Sequence, residues 1–334
     1  MLKFFSIFSI TLLNIIILFN FNKIAKFLNI KDIPNESRKI HSHPVPTIGG
    51  VIILLNLILI LILSLYQKEI LLIFEGERSL SSLLIVGTLI TCFGAYDDKF
   101  GISPTNKLLI LGLLIYLALL LDNTLIINYL NFGNYYYFNI ERFGIFFTIV
   151  CFIIFLNAFN MFDGINGQSG CYSLVILTFL YLKNPNIFII LISISIIFFL
   201  YLNFKNKIFL GDNGSYLISF LLSCLIIKNY NLTLINFTVE EILLLMIYPG
   251  IDLLRLFISR LSKGKHPFFP DSNHIHHIIY NKTKSQLIAL FMNLVGIIFP
   301  ILLYLFFENI YLSLILSLSM YLIFYKIFNK KLNV

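Results

Sequence analysis

Apolar residues along this chain form long runs that short polar segments separate. A helix crosses the hydrocarbon core of a bilayer with about 20 predominantly apolar residues, and eleven runs are candidates for such helices. They lie at 4–22, 47–66, 80–96, 108–122, 143–158, 170–183, 187–203, 214–229, 241–260, 286–305 and 310–327. The sixth and seventh runs are the weakest candidates, because only a tight turn separates them. The pattern predicts an all-α polytopic integral membrane protein of ten or eleven transmembrane helices, which form one domain over residues 1–334.

The composition of the chain excludes other broad classes. Apolar residues make up 59% of it, charged residues 12%, and the mean hydropathy is +0.92. Soluble domains carry about 25% charged residues, so a water-soluble enzyme is excluded, and disorder would require low hydrophobicity and high charge. The four cysteines lie inside apolar runs without a pairing pattern, which indicates small core residues rather than disulfides or metal ligands.

Basic residues in the connections predict the orientation of the chain. If the N-terminus lies outside, the inside connections carry 17 Lys and Arg residues and the outside connections carry 6. Cytoplasmic loops carry the basic excess, so we expect the N-terminus outside and the C-terminus in the cytoplasm. The same excess accounts for the net charge of +8, and nucleic acid is not expected as a partner. In the longest outside connection, aromatic strips at 125–129 and 135–139 predict a short β-hairpin on the membrane surface.

Polar, glycine-rich clusters occur at five inside connections and at none of the outside ones. They comprise 38–41 with 46–50, Asp97 and Asp98 with Lys107, and the segments 157–167, 209–215 and 270–277. Because alternating helices bring these connections to one membrane face, the sequence predicts a site on the cytoplasmic surface.

Asp97 and Asp98 are the most informative pair. Two adjacent carboxylates at a helix end repel each other and need a nearby cation or base. This favours divalent-metal chemistry or a carboxylate base, and a solvated cap that ends the third helix is the alternative. Oxygen ligands without cysteine favour Mg²⁺ or Mn²⁺ over zinc, and Mg²⁺ favours a substrate that carries phosphate.

A strip of amides and one carboxylate follows the fifth apolar run. Asn157, Asn160, Asp163 and Asn166 are spaced at three, so they share a face if the fifth helix continues that far. Glycines at 164 and 167 then end the helix and let backbone approach a ligand. An asparagine-rich turn is the alternative.

The segment Gly211–Ser215 is a tight turn before the eighth apolar run. Backbone N–H groups at a helix N-terminus suit phosphate, and Asp212 could hold a metal that bridges to it. The neighbouring Phe209 either stacks on a base or belongs to the core, and a plain turn is the alternative reading of the segment.

Three of the six histidines, His274, His276 and His277, lie within four residues. A zinc site is disfavoured because thiolate or acidic partners are not adjacent, and solvated loop histidines are a second alternative. We expect imidazoles that bind an anionic phosphate or a sugar. Asp252 and Arg255, within the ninth apolar run, are expected to form an ion pair that is either structural or functional.

Five motifs occur in a fixed order over nearly the whole chain: PTIGG, AYDDKFGISPTNKL, NAFNMFDGING, FLGDNGS and FFPDSNHIHH. In this order they resemble the polyprenyl-phosphate N-acetylhexosamine-1-phosphate transferase family. The resemblance implies ten or eleven helices with a cytoplasmic active site. It also implies transfer of a sugar-1-phosphate from a UDP-amino sugar to an isoprenoid phosphate, with release of UMP.

The resemblance further implies which residues act on metal and phosphate. Asp212 and Asn160 would bind Mg²⁺, and Lys107 would bind the diphosphate. Asp97 and Asp98 would orient or deprotonate the lipid phosphate, or bind the metal.

The remaining candidates are implied to bind substrate or to complete the acidic cluster. Asp163 would complete that cluster, Phe209 and Asn166 would recognise uracil, and Asn157 would belong to the substrate-binding strip. The three histidines would lie over the sugar and the phosphates.

Two departures from the family pattern narrow the branch. Many bacterial relatives read DGIDG where this chain reads DGING, so Asn166 keeps hydrogen-bonding capacity but loses a charge. The peptidoglycan branch carries three consecutive histidines followed by Phe-Glu, whereas this chain reads HIHH. The resemblance is therefore to the branch that starts O-antigen, enterobacterial antigen or teichoic acid, with UDP-GlcNAc as the preferred UDP-N-acetylhexosamine and undecaprenyl phosphate as acceptor. Phospho-MurNAc-pentapeptide transferase is the alternative.

The implied setting is the lipid bilayer of the bacterial inner membrane, and a homodimer is left open. A transporter of a polar solute is the rival from another class. Transporters place charged residues near the midplane of broken helices, whereas here only Asp252 and Arg255 lie deep within a run.

Overall fold

The structure is a computed structural model that describes residues 2–34, 43–74, 76–133, 136–232, 237–264 and 273–329. Within this part of the chain the helices are α1 (Leu2–Leu28), α2 (Gly49–Tyr66), α3 (Glu77–Phe100), α4 (Pro104–Leu121), α5 (Gly144–Phe162), α6 (Gln168–Lys183), α7 (Ile187–Phe204), α8 (Gly211–Asn231), α9 (Val239–Leu261), α10 (Ile275–Thr283), α11 (Gln286–Phe307) and α12 (Ile310–Asn329). The predicted cluster at 38–41 and residues 270–272 of the histidine segment lie outside the described residues.

The predicted apolar runs coincide with the long helices. Each of the eleven runs falls on one of them, and the short helix α10 is additional. Among the described residues, nine helices are long and apolar enough to cross a membrane. The two long helices outside this set are α6, which has only 16 residues, and α8. The prediction of an all-α, multi-pass membrane protein is therefore confirmed.

α8 is the central helix of the bundle. It packs against α2, α3, α5 and α6, and every residue from Asn213 to Tyr230 is buried. Because protein rather than lipid surrounds it, its serines, asparagines and Lys228 do not face hydrocarbon. This position explains how α8 accommodates polar residues along its length.

Two glycines allow α2 and α3 to approach the first turn of α8. A Cβ atom at Gly94 of α3 would lie 2.4 Å from Asn213 Cα, and one at Gly50 of α2 would lie 2.4 Å from Asn213 Oδ1. Small residues permit such close contact between membrane helices. The end of α3, which carries Asp97 and Asp98, is thereby held against the N-terminus of α8.

Two small antiparallel sheets lie between the helices. β1 (Lys31–Asp32) pairs with β2 (Val45–Pro46), and β3 (Tyr129–Phe132) pairs with β4 (Tyr136–Asn139). The second pair is the predicted hairpin, but its first strand begins at Tyr129 rather than at 125. The reason is a 3₁₀ turn at Asn123–Leu125, whose Thr124 amide donates to Asp122.

The two ends of the bundle carry different sets of hydrogen bonds and ion pairs between helix termini. The site end carries the end of α3 and the start of α8, which bond to each other through Asp98 and Asp212. The far end carries the ion pairs Lys3–Glu69, Lys183–Glu241 and Lys228–Asp122. This separation agrees with the prediction that polar clusters meet at one face.

Candidate active site

A cavity of about 390 Å³ lies at the site end beside the start of α8. Seven of the predicted residues line it: Asp98, Asn160, Asp163, Asn166, Phe209, Asp212 and His277. They come from segments that are far apart in the sequence, and the fold brings them together as the motifs predicted. Asp97, Lys107, Asn157, His274 and His276 are not on the cavity wall, and their positions differ in ways that matter.

Asp98 caps the N-terminus of α8. Its Oδ1 accepts from the backbone N–H of Asp212 at 2.8 Å, and its Oδ2 accepts from the backbone N–H and side-chain Nδ2 of Asn213 at 3.2 and 2.5 Å. A carboxylate in this position satisfies unpaired helix amides and the helix dipole. The expectation that the α8 amides bind phosphate is therefore wrong for Asp212 and Asn213, because both amides already donate to Asp98.

Asp97 holds Lys107 at the edge of the cavity. The Lys107 Nζ lies 2.6 Å from Asp97 Oδ2 and 3.3 Å from Asp212 Oδ2. Asp97 Oδ1 accepts from the backbone N–H of Ile102 at 2.9 Å, and its side chain is fully buried. Since Ser103 caps the start of α4, the lysine extends from a helix turn of fixed position.

Asn160 binds Asp212 directly, whereas Asn157 does not reach the cavity. Asn160 Nδ2 donates to Asp212 Oδ1 at 2.7 Å and to Ser215 Oγ at 2.8 Å. The amide of Asn157 instead donates to the carbonyl of Ile153 in its own helix at 2.7 Å. The two amides, predicted to share one strip, therefore have different environments.

Asp163 follows the last residue of α5 and lines the cavity. Burial raises the pKa of its carboxyl to about 7; the hydrogen bond from Ser169 Oγ lowers the pKa, and the charge of Asp212 raises it. The helix ends here, as the glycines predicted, so Asn166 lies in the following turn rather than on the helical strip.

Two asparagines outside the predicted motifs, Asn203 and Asn206, hold this turn in place. Asn203 Oδ1 accepts from the backbone N–H of Gly167 at 2.7 Å, and its Nδ2 donates to the Ile208 carbonyl at 3.0 Å. Asn206 Oδ1 accepts from Asn166 Nδ2 at 2.6 Å. The only signal in the sequence was their place at the polar end of the seventh apolar run, beside the FLGDNGS motif.

The PTIGG motif seats Phe209 at the cavity. The backbone N–H of Phe209 donates to the Pro46 carbonyl at 2.9 Å, and its carbonyl accepts from the Gly49 N–H at 3.1 Å. Thr47 lies between them and lines the cavity, and its buried hydroxyl has no hydrogen-bond partner among the described residues. Asp32 also lines the cavity; it was not predicted from the sequence, and Thr47 was predicted only as part of the cluster at 46–50.

Of the three histidines, His277 alone is on the cavity wall. His276 is buried behind it, where its Nδ1 lies 3.3 Å from the Gln168 Nε2 donor. Burial lowers the pKa of His276 well below its usual range, and the neighbouring His277 and His274 lower it further. The expected set of three substrate-binding imidazoles thus divides into one that faces the cavity and two that lie behind it.

Acidic side chains outnumber basic ones at this site. Asp97 and Asp212 contact Lys107, Asp98 accepts from the amide of Asp212, and Asp163 lines the cavity with Asp98 and Asp212. Within the described residues, no three His, Cys, Asp or Glu side chains form a group that could hold a metal ion. The site therefore offers hard oxygen donors and one ammonium group, an arrangement suited to a substrate that brings its own phosphate oxygens.

Comparisons with known proteins agree with this geometry. The family model described as glycosyl transferase family 4 matches residues 80–230, which run from the first turn of α3 to the end of α8 and include most of the cavity residues. Proteins named undecaprenyl-phosphate alpha-N-acetylglucosaminyl 1-phosphate transferase are similar to this chain. The one from Escherichia coli O157:H7 is 29% identical over 81% of this chain and 74% of its own length. The one from Thermotoga maritima is 29% identical over 83% of each chain. The segment from α3 to α8 is thus similar to glycosyl transferase family 4.

Proposed function

We propose that the protein is a phosphotransferase that moves N-acetylglucosamine-1-phosphate from UDP-GlcNAc to undecaprenyl phosphate and releases UMP. The observation that carries this proposal is a cavity lined by Asp98, Asp163 and Asp212 at one end of a membrane bundle, with Lys107 in contact with Asp212. The names of the similar proteins support the same activity. A site at the end of the helices suits a reaction between a lipid phosphate and a water-soluble nucleotide sugar.

In this reaction an oxygen of the lipid phosphate attacks the β-phosphorus of UDP-GlcNAc. The bond between that phosphorus and the oxygen that links it to UMP breaks. Phosphoryl transfer depends on positioning and on neutralisation of charge. Lys107 supplies positive charge to the diphosphate, and Asp163, with a pKa of about 7, accepts the remaining proton of the lipid phosphate.

Asp97 and Asp98 contribute through other residues in this proposal. Asp97 orients Lys107, and Asp98 fixes the start of α8 and with it the side chain of Asp212. Phe209 and Asn166 recognise uracil, and His277 contacts the sugar or its phosphate. All three residues line the cavity, which supports these roles.

Mg²⁺ is the proposed cofactor, with Mn²⁺ as the alternative. The excess of carboxylates fits a divalent cation, and Asp212 with Asn160 would hold it through hard oxygen atoms. Phosphate oxygens of the substrate would complete the coordination, since the described residues do not offer three acidic or histidine ligands in one group. When bound, the ion would neutralise charge that develops on the diphosphate.

The cellular setting follows from the charge pattern and the reaction. The basic excess supports a site on the cytoplasmic face of the bacterial inner membrane. In this proposal the chain crosses the membrane eleven times, and its N-terminus lies outside. The product would start a surface polysaccharide of the O-antigen, enterobacterial-antigen or teichoic-acid type. A homodimer in the bilayer stays a prediction.

The test is to reconstitute the purified protein in nanodiscs with undecaprenyl phosphate, UDP-GlcNAc and Mg²⁺. We expect equimolar UMP and lipid-linked GlcNAc, with UDP-GalNAc and UDP-MurNAc-pentapeptide as competing donors. Lys107→Ala serves as the inactive control. The absence of turnover with any UDP-N-acetylhexosamine would refute the proposal, and preference for the pentapeptide donor would move the protein to the peptidoglycan branch.

A further inference from the structure

The carboxylate of Asp252 on α9 lies outside the cavity wall but has an unusual number of donors. It is 2% exposed. Its Oδ2 lies 2.9 Å from His274 Nδ1, and its Oδ1 accepts from Arg255 at 2.8 Å, from Tyr321 Oη at 2.7 Å and from the backbone N–H of Ile275 at 3.2 Å. Four donors converge on one buried carboxylate, so its charge is fully compensated.

These donors tie the start of α10 to two helices of the bundle. Ile275 is the first residue of α10, and its amide is one of those that a helix leaves without an internal partner. Arg255 also donates to the carbonyl of Asn273 at 2.6 Å and, through Nε, to Tyr321 Oη at 2.7 Å. The chain on both sides of His274 is therefore fixed to α9 and α12.

A stack of imidazoles connects this anchor with the cavity. The rings of His274 and His276 are parallel within 11° with centroids 5.4 Å apart, and His276 lies 4.4 Å from His277. Because a carboxylate only accepts, Nδ1 of His274 carries the hydrogen that faces Asp252. Asp252 thus positions His277 on the cavity wall through a row of packed rings, His274 and then His276.

We propose that Asp252 is a positioning residue, which holds His274 and the first turn of α10 so that His277 faces the nucleotide-sugar cavity. This inference rests on the proposed transferase function. The ion pair with Arg255, for which the sequence left structural and functional roles open, then has a functional purpose. Among the described residues, the hydrogen bonds of Asp252 reach the histidine row through His274 and the amide of Ile275.

Asp122 at the far end offers a matched control. It is 6% exposed, and it too accepts from four donors: Ser79 Oγ, Lys228 Nζ, and the amide and hydroxyl of Thr124. Asp252→Asn and Asp122→Asn therefore remove the same kind of buried charge. Only Asp252→Asn removes a charge that holds the start of α10.

The experiment compares these variants in nanodiscs by steady-state kinetics and by hydrogen exchange. We expect Asp252→Asn to lower kcat/KM for UDP-GlcNAc about 10- to 100-fold, the loss usual when the partner that orients a functional histidine is removed. KM for undecaprenyl phosphate should change little. Amides of 275–283 should exchange faster in Asp252→Asn but not in Asp122→Asn, and Tyr321→Phe should give an intermediate change of the same kind.

The outcomes separate the two proposals. An inactive wild-type protein would refute the transferase function, while the exchange measurement would still report on the anchor. Wild-type kinetics and exchange in Asp252→Asn would overturn the inference. An equal loss of kcat/KM in Asp122→Asn would also overturn it, because the effect would then be one of general stability.

Discussion

Four acids at the far end of the bundle each lie beside their own lysine, whereas at the site end one lysine contacts two of four acids. At the far end the pairs are Lys3–Glu69, Lys68–Glu77, Lys183–Glu241 and Lys228–Asp122. At the site end Asp97 and Asp212 both contact Lys107, Asp98 accepts from helix amides, and Asp163 accepts from Ser169.

The difference separates acids that stabilise the fold from acids kept for chemistry. Two of the far-end pairs, Lys183–Glu241 and Lys228–Asp122, have a buried carboxylate. Removal of one partner of a buried pair leaves an uncompensated charge and is strongly destabilising, whereas the two exposed pairs contribute little. A carboxylate without its own counter-charge is electrostatically unfavourable in the free protein. Such a group is therefore suited to bind a cation or a proton. The two ends should therefore respond oppositely to loss of a carboxylate.

Asp122→Asn should give the largest loss of stability. Burial alone would raise the pKa of Asp122, but hydrogen bonds from Lys228, Ser79 and Thr124 outweigh it and lower the pKa. The lowered pKa stabilises the fold above the ordinary pKa of aspartate, and the contribution disappears as the pH falls through the lowered pKa. We expect a loss of about 3–5 kcal/mol of unfolding free energy, measured by denaturation in micelles at neutral pH, with kcat of the folded protein unchanged. A loss of kcat without a loss of stability would contradict the division of the two ends.

Asp212→Asn should have the opposite effect, a loss of kcat without a loss of stability. Loss of a group that neutralises or orients transition-state charge costs about 10²- to 10³-fold in kcat, or about 2.7–4 kcal/mol. Stability should hold or rise, because one of the crowded carboxylates is removed. The same assay with EDTA should stop wild-type turnover, and added Mg²⁺ should restore it. Full activity in EDTA would remove the metal from the proposal.

Asp98→Ala tests a residue that serves both purposes. Loss of a helix cap costs about 0.5–2 kcal/mol of stability, and Asp212 should lose its orientation, so both the melting temperature and kcat should fall. Asp98→Asn keeps one acceptor oxygen and should lose less of each. If Asp98→Asn is as inactive as Asp98→Ala but fully stable, the charge acts in catalysis and the cap is secondary.

The sequence predicted the fold well because long apolar runs leave few alternatives in a bilayer. It placed the runs on all eleven long helices, but it underestimated the extent of α3, α5 and α8 at the site end. Those helices continue into polar residues that other helices cover, and hydropathy alone does not distinguish covered from solvated polar residues.

The site residues that belong to motifs could be predicted from the sequence. The contributions of isolated residues could not. The five motifs located seven cavity residues. They did not indicate that Asp98 would bind amides more than 100 positions away, or that Asn203 and Asp252 would support loops from outside the motifs. Such pairings depend on how helices pack, and spacing along one helix contains no information about them.

The smallest predicted effect is that of Asn157→Ala, which is compared with Asn160→Ala in the strip of amides on α5. Its four equally spaced members were expected to act together, but only Asn160 contacts Asp212, while Asn157 bonds to its own helix. Loss of a hydrogen bond to a charged group costs about 1.5–3 kcal/mol, so Asn160→Ala should lower kcat/KM about 10- to 100-fold. Asn157→Ala should change kcat/KM less than about 2-fold, because the bond it loses is local and its backbone carbonyl partner keeps its helical donor. A loss in Asn157→Ala equal to that in Asn160→Ala would mean that the substrate binds along the whole strip, and the cavity would then extend up α5 toward the bilayer when both substrates are bound.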